Sequence, residues 1–293
     1  MAGRPRRRSI LCVPGGDEYK IRKALGSGAD QVVIDLEDAV PPADKDRARA
    51  LLGEIAWNDL AAGLPAIAVR INAPRSRWCH LDIDAVVGLG VPAASIVVPK
   101  VESAGDLEFA DRLLDGLEAG AMHDDRIELE ALIETADGLT RIEQIAAATS
   151  RLSTLIIGYA DLAASLGRSA RLDPALWIAV QDRVIAAART NRLDAVDGPY
   201  LGVGVDDGFG AAVGHGARIG FDAKWAIHPR QIDAINLAFE PSDEQVKYAR
   251  RVVGALAAAH DGGRGVVELD GQMIDEAIAV AARRTLLKSG VSL

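Results

Sequence analysis

IELEALIETADGLTRIEQIAAATSRLSTLIIGYAD, residues 127–161, holds one complete strand–helix–strand pattern. Two apolar runs, IELEALI (127–133) and TLIIG (154–158), flank a helix-compatible segment at Asp137–Thr149. Short apolar runs of this kind suit buried strands, and the length between them suits the crossover that parallel strands require. The two runs lead into carboxylates, Glu134 and Asp161. Two hard oxygen donors delivered from neighbouring strand ends are what Mg²⁺ asks for, because that ion takes one or two protein carboxylates and leaves positions for water and substrate.

Working outward, the same unit recurs. Strand-like runs fall at SILCV (9–13), QVVIDL (31–36), AIAVRI (66–71), SIVVP (95–99), DAVD (194–197) and ARIGF (217–221), in addition to the two above. Helix-compatible segments separate them, among them Asp17–Ser27, Ala43–Glu54, Ser103–Leu117, Pro174–Asn191 and Pro229–Phe239. Eight strands with intervening helices predict an α/β fold, a (β/α)₈ TIM barrel. Beyond it, EPSDEQVKYARRVVGALAAAH (240–260) reads as a helix capped by Ser242, followed by GGRG, VVELDG and a last helix from about Met273 to Lys288. The expected organisation is a barrel catalytic domain at 1–239 and a C-terminal helical extension at 240–293 that packs its apolar face on a neighbouring subunit.

At 293 residues and 49% hydrophobic content, the chain can bury roughly three quarters of its unfolded surface in one large domain. A net charge of −9 argues against a nucleic-acid or anionic-membrane binder, so an anionic ligand must be met by local Arg and Lys. Cys12 and Cys79 are too few for a disulfide framework, which fits a reducing cytoplasm. No run approaches the ~18 apolar residues of a membrane span. Arg6, Arg7 and Arg8 read as a solvated tail.

Strand parity adds chemistry. In a period-2 element one set of side chains faces the lumen and the other packs on helices. Ile67, Val69 and Ile71 form the helix-facing set of the third strand, leaving Ala66, Ala68, Arg70 and Asn72 inward. On the fifth strand Glu128, Glu130, Leu132 and Glu134 face inward, and on the second Asp35 and Glu37 do. An unpaired charge in a barrel costs several kcal/mol, so Arg70 must meet an anionic ligand or an internal network with Asp35, Glu37 or Glu128. Asp137 reads as a helix N-cap, and the same reading competes for Asp161. Lys100, at the fourth strand end, raises a Schiff-base alternative, but its Pro and Glu flank offers no desolvating pocket.

These residues lie in segments that resemble, in order, the citrate lyase β-subunit-like branch of the HpcH/HpaI aldolase superfamily. The segments are RSILCVPGGDEYKIRKA (8–24), DLEDAVPPADKDRAR (35–49), VRIN (69–72), VVPKVES (97–103), ALIETADGL (131–139), IIGYADLAASLG (156–167), GFDAKWAIHPRQI (220–232) and DGQMID (270–275). The resemblance implies a Mg²⁺-dependent lyase that cleaves or forms malyl-, citramalyl- or citryl-CoA-type thioesters through an enolate. Its substrates would be a 2-oxo acid and a CoA thioester, and its assembly a trimer or hexamer. It implies Glu134 and Asp161 as metal ligands and Arg70 as the group holding the hydroxyl or oxo oxygen. Asp275 would be an acid/base reaching into the adjacent subunit, although by residues alone it is a surface helix carboxylate.

For the CoA arm the resemblance implies Lys23, Lys45 and Arg49 at the phosphates and Ile227–His228 at the adenine end. The alternatives are a solvated helix face for Lys45 and Arg49, at i,i+4 beside Asp44 and Asp46, and a helix-start residue for His228. Cys12, Tyr19 and Ala223 depart from the family pattern and lie, by resemblance, toward the thioester side. Competing functions are a citrate lyase β subunit acting on an acyl-carrier-protein thioester, a metal-dependent aldolase of free 2-oxo acids, and a non-catalytic thioester-binding scaffold. The aldolase would be expected to carry a His after strand two, which DLEDAVPPADK lacks.

Overall fold

The computed structural model describes residues 7–57, 63–121, 126–169 and 174–290. Eight parallel strands close a barrel in sequence order: β1 (Ser9–Pro14), β2 (Gln31–Asp35), β3 (Ala66–Arg70), β4 (Ser95–Val98), β5 (Glu128–Ile133), β6 (Leu152–Ile157), β7 (Asp194–Asp197) and β8 (Ala223–Ala226), which returns to β1. The connections carry α1 (Glu18–Leu25), α2 (Lys45–Glu54), α3 (Cys79–Gly88) and α4 (Ala104–Ala121). After them come α5 (Ala136–Thr140), α6 (Ile142–Ala146), α7 (Tyr159–Ser165), α8 (Pro174–Thr190) and α9 (Asp207–Ile219), and α10 (Ile232–Phe239) follows β8. The expected barrel is present.

Its lumen is built in layers. One apolar cluster takes Ile10, Val33, Ala68, Val97, Leu132, Ile156, Val196, Ala223 and Trp225, so every strand contributes. Nearer the strand N-termini the Gln31 amide donates to Ser95 Oγ (3.2 Å) and Glu130 Oε1 (2.7 Å). Glu130 is thereby a structural carboxylate beneath the apolar layer, and of the inward glutamates of β5 Glu134 stands above it.

The eighth strand is not ARIGF. Residues 217–219 end α9, Gly220 terminates that helix in the left-handed region (φ 116°), and the strand is AKWA. The segment GFGAAVGHGARIG is glycine-rich, which weakens its helical signal, and AKWA has no β-branched residue. The Asp137–Thr149 segment is two helices broken at Arg141. A Cβ at Gly138 would collide with the Val101 carbonyl, so α5 lies directly on the chain that follows β4. The cap of α5 is Thr135, whose hydroxyl accepts from Gly138 N (3.0 Å), and Asp137 instead pairs with Arg141 at 3.0 Å. Arg8 is no part of a solvated tail: it pairs with Asp30 at 2.8 Å. Arg6 lies outside the described residues.

Two compact units divide the chain, Arg8–Asn236 and the chain from Leu237 onward. The second contains α11 (Asp243–Asp261), a hairpin of β9 (Val267–Leu269) and β10 (Gln272–Ile274), and α12 (Glu276–Lys288). Ser242 caps α11 in a capping box with Gln245. Met273 belongs to the hairpin, so the last helix starts later than expected. The turn, Asp270–Gly271, has both φ angles positive (54° and 78°), the requirement of a two-residue hairpin loop. Val252, Leu256, Ile274, Ala279 and Leu286 pack together, so part of the apolar surface expected to need a neighbour is satisfied within the unit. Among the described residues no helix is long and apolar enough to cross a membrane.

Candidate active site

The C-terminal ends of β2 to β6 bring six charged side chains together: Asp35, Glu37, Arg70, Lys100, Glu134 and Asp161. Asp35 ends β2, and its carboxylate accepts the backbone N–H groups of Glu37 (2.8 Å) and Ala39 (3.0 Å), which fixes the loop that follows. The same carboxylate takes a two-pronged bond from Arg70 at the end of β3, at 2.8 Å and 2.6 Å. The third Arg70 nitrogen is 3.4 Å from Glu37 Oε2, a buried oxygen that accepts no hydrogen bond. Burial works against the Arg70 charge, and Asp35 with Glu37 more than offsets it, so the guanidinium stays ionised. The internal partners expected for Arg70 are Asp35 and Glu37; Glu128 lies at the opposite end of its strand.

Lys100, just past β4, adopts a left-handed backbone (φ 50°), a costly conformation for a residue with a side chain. It directs the Lys100 N–H onto Glu134 Oε1 (2.8 Å) and the ammonium onto Glu37 Oε1 (2.5 Å). Burial disfavours the ammonium, but the Glu37 bond and charge raise its pKa above the ordinary lysine value. A lysine kept protonated is a poor Schiff-base nucleophile, which argues against that alternative.

Glu134 follows β5 with 2% of its surface exposed. Burial, then the Glu37 charge, then Asp161 push its carboxyl up to about 7, against the opposing pull of Lys100 and Arg70. Its Oε2 lies against Gly158, where a Cβ could not be accommodated. Gly158 caps α7 without a side-chain bond, and Asp161 lies in the first turn of that helix, half-buried. The N-cap alternative for Asp161 is therefore overturned, because its carboxylate caps nothing. A buried glutamate raised by two neighbouring carboxylates fits a divalent cation, whose charge would reverse the repulsion. Among the described residues no group of three or more His, Cys, Asp or Glu gathers as a metal cage, so such a cation would draw on Glu134 and Asp161.

Residues 8–229 match the family model for HpcH/HpaI aldolase/citrate lyase. The chain belongs to that family. It is an oxo-acid lyase family, with malyl-CoA lyase and citrate lyase β-like members. The chain is 34% identical over 288 residues to an L-malyl-CoA/beta-methylmalyl-CoA lyase of Cereibacter sphaeroides, spanning 92% of this chain and 90% of the relative. It is 35% identical over 282 residues to a (3S)-malyl-CoA thioesterase of the same species, spanning 96% and 94%. The protein CitE of Mycobacterium tuberculosis, solved with magnesium, acetoacetate and coenzyme A, is 30% identical with a TM-score of 0.74, and 98% of this chain covers 99% of that one.

The other sequence candidates of this family member are scattered. Lys23 is exposed on α1. Lys45 and Arg49 are buried, not on a solvated face: the Lys45 ammonium donates to the Leu36 and Glu37 carbonyls, both at 2.7 Å, and Arg49 pairs with Asp82 at 2.7 Å and with Asp46. The Lys45 charge is thus taken up by the loop after β2, and the Arg49 charge by Asp82 of α3 and Asp46 of its own helix. Ile227 is exposed, and His228 accepts from Arg230 N (3.2 Å) as the cap of a short 3₁₀ turn, as the helix-start alternative expected. Asp275 caps α12, accepting from Ile278 N at 3.1 Å. Ala223 is in the apolar lumen layer and Cys12 packs against it. Burial, with the charge of Asp35, pushes the Cys12 thiol up to about 12. Asp35, Glu37 and Lys100 also stand in this charged group, although the sequence offered the first two only as internal partners of Arg70 and Lys100 only as a Schiff-base alternative. The DLED and VPK segments already ended strands two and four with unmatched charges, which was the available signal.

Proposed function

We propose that this chain is a Mg²⁺-dependent carbon–carbon lyase. It cleaves, or forms, a 3-hydroxyacyl-CoA thioester such as malyl-, citramalyl- or citryl-CoA, giving a 2-oxo acid and an acyl-CoA. The observation that carries this is the gathering of Arg70, Glu134 and Asp161 at one barrel mouth, where burial and then the charges of Glu37 and Asp161 raise the Glu134 carboxyl. The curated relatives named for malyl-CoA chemistry support the substrate class.

Glu134 and Asp161 would hold the ion, which supplies a template and a Lewis acid for the oxo-acid oxygens. Arg70 donates to the substrate hydroxyl oxygen, a charge-assisted contact that strengthens as charge grows there. In cleavage a base removes the hydroxyl proton, the carbinol carbon becomes the oxo group, and the electron pair of the broken C–C bond passes to the thioester as its enolate. Asp275 of an adjacent subunit is the acid that returns a proton to the enolate carbon. The C-terminal unit packs on that neighbour in a cytoplasmic homo-oligomer, a trimer or hexamer. The CoA arm crosses Lys23 and Ile227–His228, while Lys45 stiffens the loop after β2 and Arg49 ties α2 to α3.

A second reading, thioester hydrolysis, is favoured by the 35% identical thioesterase. Incubation of purified protein with Mg²⁺ and each of malyl-, citramalyl- and citryl-CoA separates the two. A lyase releases an oxo acid and an acyl-CoA, whereas hydroxy acid with free CoA would replace the proposal by the second reading.

A further inference from the structure

Outside the barrel, between β6–β8 and helices α8 and α9, five polar side chains form a continuous chain. The Lys224 ammonium donates to Asp197 Oδ2 (2.5 Å) and to the Gly198 carbonyl (2.9 Å). Asp197 Oδ1 accepts from the Tyr159 hydroxyl (2.6 Å), which itself accepts from Gln181 Nε2 (2.6 Å). Gln181 Oε1 is 2.9 Å from His215 Nε2, a contact that orients the amide with its NH₂ toward the phenol. Lys224 and Asp197 have the parity opposite to Ala223 and Val196, so they face the helices and take no part in the lumen. Burying such a pair costs several kcal/mol of desolvation, and an apolar pair of similar volume would commonly be as stable.

The chain converges on Tyr159, the first residue of α7, next to Gly158 and two before Asp161. The helix start has no side-chain cap of its own. Backbone instead presses close around Tyr159: a Cβ at Gly198 would stand 2.7 Å from its ring, and one at Gly216 would stand 2.6 Å from Asp197 Oδ2. Trp177 meets the ring edge-on at 5.0 Å. A cavity of about 160 Å³, lined by all five members of the chain, lies beside them. With open space along one side, packing does not enclose the phenol completely, and its hydroxyl bonds complete the constraint. Burial and the Asp197 charge keep that hydroxyl protonated and able to donate.

We propose that Tyr159 is a positioning residue: the Lys224–Asp197–Tyr159–Gln181–His215 chain sets the first turn of α7 and thereby aims Asp161 at the cation. This rests on the assignment of Asp161 as a metal ligand. Residues that orient a ligand from behind typically change metal affinity by about 10–100-fold when removed. Tyr159→Phe keeps the ring and deletes the hydroxyl, and Gln181→Met removes one bond while leaving the Tyr159–Asp197 contact.

The test is titration calorimetry of Mg²⁺ alone into the full-length protein, with melting temperature measured in parallel. Tyr159→Phe should weaken Mg²⁺ binding about tenfold and Gln181→Met less. Leu114→Ala, a core truncation in α4, should lower the melting temperature without changing Mg²⁺ affinity. Wild-type affinity in Tyr159→Phe, alongside weakened binding in Asp161→Asn, overturns the positioning role alone. Wild-type affinity in Asp161→Asn overturns the metal assignment and the positioning role with it. Equal loss of Mg²⁺ affinity in Leu114→Ala and Tyr159→Phe would also overturn it, by reducing the effect to general destabilisation.

Discussion

Replacing Gly158 with alanine puts one methyl group between the β6–α7 turn and Glu134. The added Cβ would stand 2.6 Å from Glu134 Cβ and closer still to its Oε2. A carboxylate oxygen can swing aside, but the Glu134 Cβ is fixed to its own backbone at the end of β5, so the turn or the strand end must move. Gly158 has φ −101°, which any residue adopts, so the penalty is steric and not conformational. Overpacking of this kind costs about 1–3 kcal/mol. At roughly 2–4 °C per kcal/mol for a large domain, the melting temperature should fall by about 2–12 °C. Mg²⁺ affinity should fall with it, because the displaced residue is a proposed ligand. Gly210→Ala in α9 is the control: beyond its own helix backbone no neighbouring atom among the described residues lies within 4 Å of the added Cβ, so alanine there should be neutral or stabilise by up to about 1 kcal/mol. Thermal denaturation and calorimetry read both variants. Wild-type stability and Mg²⁺ affinity in Gly158→Ala would refute the close packing of Glu134 on this turn.

Four other outcomes are expected. Glu134 titrates near 7 when folded and near 4.5 when unfolded, so the metal-free fold retains a proton that the unfolded chain has lost, and stability should decline from about pH 4.5 to about pH 7 and level off above. Mg²⁺ needs the ionised form, so its affinity should rise roughly tenfold from pH 6 to pH 8, and Glu134→Gln should abolish that dependence in calorimetry. Lys224→Ala leaves Asp197 buried without its counter-charge and should cost about 3–5 kcal/mol in denaturant unfolding, a loss that a surface pair such as Arg112–Glu108 would not reproduce. Arg70→Ala and Asp275→Ala should each be inactive, and their mixed oligomers should regain partial lyase turnover if the site is shared between subunits.

The barrel was legible wherever a strand is a β-branched run, as in VVI, AIAV or TLII. It failed at β8, because AKWA is made acceptable by a partner 27 residues away, Asp197, which neutralises Lys224. The same limit governed the site. Parity placed Asp35, Arg70 and Glu134 on one side of their strands, since alternation is a local property. It did not reveal that Lys100 answers Glu37 across 63 positions, or that Arg49 answers Asp82 across 33. Lys45 and Arg49 looked solvated because the i,i+4 pattern on a helix speaks only of its own neighbours. The Tyr159 chain draws on four separate elements and α7 itself, so no window of sequence contains it.

The most direct test of the central claim follows the proton and the bond together. Malyl-CoA is turned over with Mg²⁺ in D₂O and the products are resolved by mass spectrometry. The lyase account predicts equal amounts of glyoxylate and acetyl-CoA, with one solvent deuterium in the acetyl methyl group at early times. Malate and free CoA, with no glyoxylate and no deuterium on carbon, would contradict it.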